Sequence, residues 1–556
     1  MTSEPSPDSA REHAKSNAFS LSDRNAWLLL LLPLSWFLWT GQRGLSYGEH
    51  WDEAFQIQMV QHSVEEETLL PDWYNYPSVS YWLSFAALTP ELLEADWSGV
   101  GTRGPLHVGA PIKGSAATRA ALLEATRAPG FLLRMRMIFL CVSALSILGV
   151  FCAVRRSAGN WEALFAASLI ATSFEVAYHS RWVAPDAVLT GLVALSLAAL
   201  IKTYRAGGSL VCLGLLAGLA TGTKYTAGLL LLPLLFTWWR TAPERQPRRL
   251  LAALASFIGG FLITTPGALL QPVRFWRDVA FERFHYGEAG HYGFTVESGW
   301  EHLSLSLRWL TNDLGSHYTP LALFITFLAL VGAVSSWRRD KAEAALILLF
   351  PLAWLLFFST QKVLFVRNLL PLAPCFALLS ARGLSYISSS MPGRAQLIPV
   401  ALGVGLLCTN ANWLYAASES IVQKNRDEAN AKTALGELLL WLSYPESERD
   451  GREVFLSEAL ARDLYGENNQ KLPYGCTVDP NKETELAAFR PFEVALGAFP
   501  GDPTGTLQSN LPGCLVASFG PKEVNWEWYT TWREPRIVVI ERSFLEPLQG
   551  SEAQKE

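Results

Sequence analysis

The sequence predicts a polytopic α-helical membrane protein with a small α/β domain after its last span. Three observations carry this reading. Apolar runs near the roughly 17–25 residues that cross a bilayer recur from Ala26 to Trp413. Clusters of Arg and Lys stand on alternate connections between those runs. From about Ala416 the chain turns polar, with short strand-like runs bounded by Gly and Pro. Of the 556 residues, 50% are hydrophobic and 17% charged, and the apolar ones come in blocks. The 21 Trp and 16 Tyr are enough to furnish interfacial belts at both membrane surfaces. The net charge of -5 decides little, because charge asymmetry between loops outweighs the total.

Residues 1–25 form a polar tail without the cationic start and small-residue cleavage site of a signal peptide. Ala26–Gly41 is predicted as a retained first helix. A first outer loop of about residues 44–130 follows. In it, Val79–Leu88 is too short to cross and reads as a juxtamembrane helix, and Gly99–Gly114 reads as irregular. Further spans are expected near 131–153, 160–178, 187–204, 209–223, 226–240, 250–270, 319–337, 342–359, 368–386 and 396–414, about eleven in all. Residues 209–240 admit an alternative of one span plus a re-entrant segment, because Thr221–Tyr225 interrupts a single apolar run.

The clusters Arg155-Arg156, Lys202 with Arg205, Arg240 with Arg245, Arg248 and Arg249, and Arg338-Arg339 with Lys341 place their connections and the N-terminus in the cytoplasm. An odd number of spans then puts residues 416–556 outside as a soluble α/β domain, beyond a membrane domain of residues 26–415. In the outer domain, Asp427–Leu442 has a helical pattern. Glu453–Leu456, Glu493–Leu496, Cys514–Ser518 and Arg536–Ile540 read as strands. Five of the seven Cys fall in apolar runs and are expected in the core. Cys476 and Cys514 could pair in an oxidising compartment.

The stretch Ser46–Trp82 organises the rest. It opens with Asp52-Glu53 on a pattern in which Trp51, Phe55 and Met59 recur at helical spacing, predicting a helix along a membrane surface. It closes with Tyr76-Pro77. Neighbouring helical residues point about 100° apart, so the two carboxylates cannot aim at one point. One is free to face a reaction centre while the other pairs with a cation or a metal. The plain alternative is a solvated acidic turn after a membrane span.

Other candidates follow on the same outer face. Pro185-Asp186 suits a helix start, where Pro fits the first turn and Asp the positive end. Arg181 sits in the same very short outer loop, against the usual charge bias, which favours a role for it. Lys224 lies between apolar segments, where a cation is costly unless paired or near water. A lipid phosphate is one natural partner, and snorkelling to the interface is the alternative. In Gln361–Pro371, Arg367 can grip phosphate oxygens bidentately and Lys362 can add a point charge, or both can serve as interfacial anchors. His285, Glu288 and His291 have ligand chemistry. Glycines at 287, 290 and 293 predict a flexible loop there, which favours sugar or phosphate hydrogen bonding over a metal.

Taken in order, these motifs resemble the lipid-linked-sugar glycosyltransferases of the GT-C class. The nearest likeness is to glycosyltransferase family 39, the protein O-mannosyltransferase and lipid A aminoarabinose transferase group. The likeness covers roughly residues 26–415. Asp52-Glu53 and the aromatic-Tyr-Pro turn match the first outer loop, and Asp186 matches a second acidic residue. Gly218-Leu219-Ala220 with Lys224 and Pro233 matches a Gly-Leu-Ala…Lys pattern. Arg367-Asn368-Leu369-Leu370-Pro371 matches an Arg-aromatic-Leu-Leu-Pro signature, with Asn368 where Tyr is usual.

The resemblance implies an inverting enzyme that moves a sugar from a polyprenyl-phosphate carrier to an outer acceptor. Asp52 would be the catalytic base, with Glu53 and Asp186 orienting acceptor or cation. Lys224, Lys362, Arg367 and Arg181 would hold the donor phosphate, and Tyr76, His285 and His291 would belong to a substrate loop. No cofactor is required, and a divalent metal on His285, Glu288 and His291 is optional. Asn75 stands where the aminoarabinose transferases carry a Glu, which weakens a zinc site of that kind. The partners would be the donor, membrane lipids and an acceptor the sequence does not name, with no nucleic acid. The expected setting is a bacterial inner membrane.

No Trp-Trp-Asp-Tyr-Gly stretch supports an oligosaccharyltransferase, and no Walker-type loop supports a nucleotide-driven enzyme. The competing class is a transporter or flippase for a lipid-linked or anionic substrate. It would need ionisable groups near the bilayer midplane and usually internal repeats.

Overall fold

The computed structural model describes residues 21–47, 50–94, 116–241, 246–291, 294–443, 452–456, 476–477, 484, 486–489, 515–519 and 537–541. The expected irregular stretch at 99–114, the strand at 493–496, most of the N-terminal tail and Cys514 lie outside these residues.

Among the described residues, seven helices are long and apolar enough to cross a membrane alone: Pro129–Ser157, Pro185–Ala206, Pro247–Thr264, Thr319–Arg339, Lys341–Ser359, Val366–Ser390 and Gly393–Glu419. Three of them open on Pro, whose missing N–H costs nothing in a first turn. The other four expected spans occur as shorter or interrupted helices. Asp23–Leu29 is followed by Leu31–Gln42, and Asn160–Thr172 by Phe174–Ser180. Leu210–Thr221 leads through the 3-10 turn Tyr225–Leu230 into Leu231–Thr241. The chain is a multi-pass integral membrane protein. Its backbone polar groups are met within helices, as a lipid environment demands.

Helices approach closely where small residues permit it. A Cβ on Gly332 would lie 1.9 Å from the carbonyl oxygen of Leu379, and one on Gly383 would lie 1.9 Å from that of Leu328. Thr319–Arg339 therefore crosses Ala373–Ser390 with backbones in contact, as small residues allow in membrane bundles.

The Trp51 helix forms as Trp51–Glu65, but it does not simply rest on the membrane. Met59, Val60 and Val64 are buried in a second apolar cluster with Tyr81, Phe131, Met135 and Phe139, while Phe55 is exposed and tilts against Trp73. The Trp51 helix and Val79–Ala86 thus pack against the start of the Pro129 helix. Val79–Ala86 is the expected juxtamembrane helix.

The cysteines correct one expectation. Among the five in apolar runs only Cys375 is buried, whereas Cys141, Cys212 and Cys408 are exposed. An apolar run in a membrane helix has a lipid-facing side as well as a packed one.

Leu397–Ser443 is one helix of 47 residues running through the boundary expected at 416. Its one proline, Pro399, stands in the first turn, where it breaks no helical bond, so the change to polar composition leaves the helix unbroken. The C-terminal part carries a five-stranded mixed sheet in the order β2-β1-β3-β5-β4. Its strands are β1 Val454–Leu456, β2 Cys476–Thr477, β3 Leu486–Phe489, β4 Leu515–Phe519 and β5 Ile537–Glu541. β1 runs parallel to β2 and β3, while β5 is antiparallel to β3 and β4. β1, β4 and β5 fall where strands were expected, and β2 and β3 where none was.

The connections sort to two ends of the bundle. At one end Arg205 bonds Glu343 and the Arg156 carbonyl, and Arg339 bonds the Ser157 carbonyl. At the other end the first outer loop meets the Lys224 turn and residues 265–282. Val79 N–H donates to Gly222 O (3.0 Å), Trp82 Nε1 to Thr264 O (2.8 Å) and Tyr225 OH to Tyr74 O (2.7 Å).

Candidate active site

The helix Trp51–Glu65 starts with a reciprocal cap. His50 Nδ1 accepts from Asp52 N–H (3.2 Å), and His50 N–H donates to Glu53 Oε2 (3.0 Å). Glu53 is then taken up by Arg136, whose Nε and Nη2 donate to its two oxygens at 2.8 and 2.6 Å. Val183 N–H adds a fourth donor at 3.2 Å. Arg136 also donates to the carbonyls of Leu45 and Tyr47 and lies over the Trp182 ring. Glu53 therefore holds the first outer loop against two other segments, and Asp52 points elsewhere, as the 100° rotation requires.

Asp52 is 7% exposed, and its Oδ2 has no hydrogen bond within the chain. His50 Nδ1 stands 3.7 Å from it. Burial pushes the Asp52 carboxyl up, Asp186 and Glu53 add to that, and Arg367 and Lys224 offset part of it, leaving the pKa at about 6. Burial holds His50 well below its ordinary value, so it is neutral beside Asp52.

Asp186, in the first turn of Pro185–Ala206, is shared by two cations. Lys224 Nζ lies 2.8 Å from Oδ1 and Arg367 Nε 3.4 Å from Oδ2. Lys224 also donates to Asn368 Oδ1 at 3.0 Å, and Asn368 O accepts from Trp354 Nε1. Asn368 thus supplies an acceptor to Lys224, while its Nδ2 is a second buried atom without a hydrogen bond in the chain. Lys224 Nζ sits 5.9 Å above Tyr286 and Arg367 4.0 Å above Phe365. Two buried cations thus converge on Asp186, with the Asp52 carboxyl among the charges that act on them.

The aromatic-Tyr-Pro turn is pinned here by tertiary bonds. Tyr74 N–H donates to Asp278 Oδ2 (2.9 Å), Ser78 N–H to Thr265 Oγ1 (3.2 Å) and Asn75 Nδ2 to Glu282 Oε2 (3.4 Å). Burial raises Glu282 to about 7, with Asp52 adding to the rise and Lys224, Asn75 and Arg367 opposing it. Burial also holds the Tyr76 phenol well above its usual value, with Asp52 the next largest cause. Tyr76 and Glu282 therefore share the electrostatic surroundings of Asp52.

The stretch at 281–291 is more regular than its glycines suggested. Pro272–Phe284 is helical and continues as the π turn His285–Ala289, which ends at Gly290 with φ +78°. Lys362 N–H donates to Tyr286 O, and Thr295 pairs with Val363 across an antiparallel bridge. His285 and His291 lie with ring centroids 5.3 Å apart, and His291 packs on Phe365 at 5.1 Å. Among the described residues no group of three His, Cys, Asp or Glu side chains is placed to hold a metal ion, so His285, Glu288 and His291 do not form a ligand set.

Two expected phosphate contacts fall outside the cluster. Lys362 Nζ donates to Glu288 O at 3.3 Å, at the exposed rim. Arg181 is buried, but its Nη1 and Nη2 donate to the carbonyls of Arg43 and Thr40 at the end of the first span. There it satisfies orphan carbonyls of a helix terminus. Sequence reasoning missed His50, Arg136, Tyr286 and Glu282. Arg136 alone carried a signal, as an ionisable residue inside an apolar run.

The family described as dolichyl-phosphate-mannose-protein mannosyltransferase matches residues 131–272. No curated protein matches the chain. Among solved structures, apo ArnT from Cupriavidus metallidurans aligns with a TM-score of 0.51 at 14% identity, covering 93% of this chain and 98% of that one. The same protein bound to undecaprenyl phosphate aligns at 0.47 and 13% identity, covering 94% and 98%. The Archaeoglobus fulgidus oligosaccharyltransferase in complex with zinc and sulfate aligns at 0.46 and 14%, covering 79% and 61%. The chain has the GT-C membrane fold and resembles the glycosyltransferases of family 39.

Proposed function

We propose that the protein is a membrane glycosyltransferase that moves a sugar from a polyprenyl-phosphate carrier to an acceptor at the outer surface. The observation that carries this is the pairing of Lys224 and Arg367 on the single carboxylate of Asp186, beside a second carboxylate, Asp52, with an unbonded oxygen. Two convergent cations fit the phosphate of a carrier, and the matched family's description names a dolichyl-phosphate sugar as its donor. An acceptor hydroxyl attacks the anomeric carbon, the bond from that carbon to the phosphate oxygen breaks, and the phosphate leaves on its lipid with the bonding electrons. Asp52 takes the acceptor proton. With a pKa of about 6 it is largely ionised at neutral pH and still basic enough to be useful.

In this reading Asp186 holds Lys224 and Arg367 in place, and Glu53 with Arg136 fixes the helix that carries Asp52. Tyr76, His285 and His291 border the substrate, Lys362 attracts it from the rim, and Arg181 supports the first span. No cofactor is required in this reading, and a divalent metal is optional. The acceptor is a lipid, a glycan or a protein. The setting is a bacterial inner membrane with residues 1–25 in the cytoplasm and residues 416–556 outside. The ionisable cluster lies at one end of the bundle, which favours this reading over a transporter.

Glycan and lipid mass spectrometry of a deletion strain tests the proposal. A sugar should disappear from one acceptor while its polyprenyl-phosphate form accumulates. Wild-type protein should restore it and the Asp52→Asn protein should not. Identical glycans and lipids in all strains would refute the activity.

A further inference from the structure

At the end of the bundle opposite Asp52, the termini of three spans enclose a cavity of about 450 Å³. Arg338 and Arg339 close Thr319–Arg339, and Arg382 and Ser389 come from Ala373–Ser390. Asp340 and Glu343 open the helix between them. Fifteen residues of largely helical chain separate Arg382 from Arg367, about 20–25 Å at the helical rise, so this cavity is distinct from the site above.

The acids in its wall are already engaged. Asp340 accepts from the N–H groups of Ala342 and Glu343 and from Tyr204 OH. Glu343 is shared between Arg205, at 2.7 Å, and Arg382. Ser385 is also committed, donating to Glu162 at 2.7 Å. The arginines are not used up. Arg382 is 8% exposed and donates to Ser336 Oγ at 2.9 Å, yet its buried Nε has no hydrogen bond in the chain. Arg338 and Arg339 stand exposed beside it. Trp337 and Tyr386, at the same level, are 48% and 45% exposed, the placement of aromatic residues at a membrane–water interface.

We infer that this cavity binds a phosphate monoanion at the membrane surface opposite the active site, presented by an anionic lipid headgroup or by a free phosphate ester. A buried guanidinium with a spare donor, two exposed arginines and acids that are already paired make a site for a phosphate group. Basic pockets between membrane helices take lipid headgroups on the same chemistry.

Native mass spectrometry of the full chain from phosphatidylglycerol–phosphatidylcholine bicelles tests it. Wild-type protein should retain one phosphatidylglycerol. Arg338→Gln/Arg339→Gln should bind it about 10–30-fold more weakly, while Arg155→Gln/Arg156→Gln, charges outside the cavity, should match wild type. Both cavity substitutions are at exposed positions, so the fold should survive them. In detergent, millimolar inorganic phosphate should raise the melting temperature of wild type and not of Arg338→Gln/Arg339→Gln if the source is a free phosphate. Phosphatidylglycerol retention without a phosphate effect assigns the site to a headgroup. Equal behaviour of Arg338→Gln/Arg339→Gln and wild type in both measurements would overturn the inference.

Discussion

Glu53 and Arg136, 83 residues apart in sequence, form a two-pronged ion pair in which neither side chain is more than 3% exposed. The pair joins the helix carrying Asp52 to the first long span. Asp52 is therefore held by a neighbour whose own charge is fully engaged. Replacing one partner leaves the other charged and buried, which costs about 3–5 kcal/mol. Glu53→Gln should lower the thermal midpoint in detergent by many degrees. Glu53→Gln/Arg136→Met should recover part of that loss. A Glu53→Gln protein as stable as wild type would show that the pair does not hold the loop.

Asp52→Asn should abolish transfer while leaving the fold in place. Asn has the size of Asp but cannot take a proton. General-base catalysis is worth about 10²–10⁴ in rate. Circular dichroism and melting temperature should match wild type, because Asp52 Oδ2 makes no hydrogen bond within the chain. Near-wild-type turnover by Asp52→Asn would remove it from the mechanism and turn attention to Glu282.

The pH dependence follows from the same residue. Burial raises the Asp52 pKa to about 6, so the carboxyl is protonated below that pH and useless as a base. Turnover should rise with pH through about 6 and level off above it. The slope on the acid side should approach one decade per unit. A flat profile between pH 5 and 7 would argue against a base with this pKa.

Lys224→Ala and Arg367→Ala should each weaken donor use, seen as a higher donor KM. A charge-assisted hydrogen bond contributes about 1.5–3 kcal/mol, or roughly 10–100-fold. Lys362→Ala should change it far less, since Lys362 bonds a carbonyl at the rim. If Lys224→Ala and Arg367→Ala both left donor KM unchanged, these cations would serve only to neutralise Asp186.

Residues 452–541 should lie on the same side of the membrane as Asp52. Protease added to sealed, inner-membrane-oriented vesicles and to spheroplasts should cut the outer sheet only in the spheroplasts. Cleavage in the opposite preparation would reverse the orientation and place Asp52 in the cytoplasm.

Much was legible from the chain alone. Apolar run length marks a membrane span, because lipid leaves each backbone group to be satisfied within its own helix. Alternating Arg and Lys clusters sorted the connections, and the structure gathers Arg156, Arg205 and Arg339 at one end. Asp52, Asp186, Lys224 and Arg367 were legible as ionisable residues at span ends. What the chain could not disclose was who pairs with whom. Lys224 meets Asn368 across 144 residues, and Asn75 meets Glu282 across 207. Arg181 and Lys362 have the same chemistry as Arg367, yet they bond backbone carbonyls instead. The sequence by itself determined that the chain is a multi-pass membrane protein and which charges sit at the ends of its apolar runs. Only the tertiary structure decided which of those charges converge, because side-chain partners depend on how separate helices pack, and no local pattern encodes that.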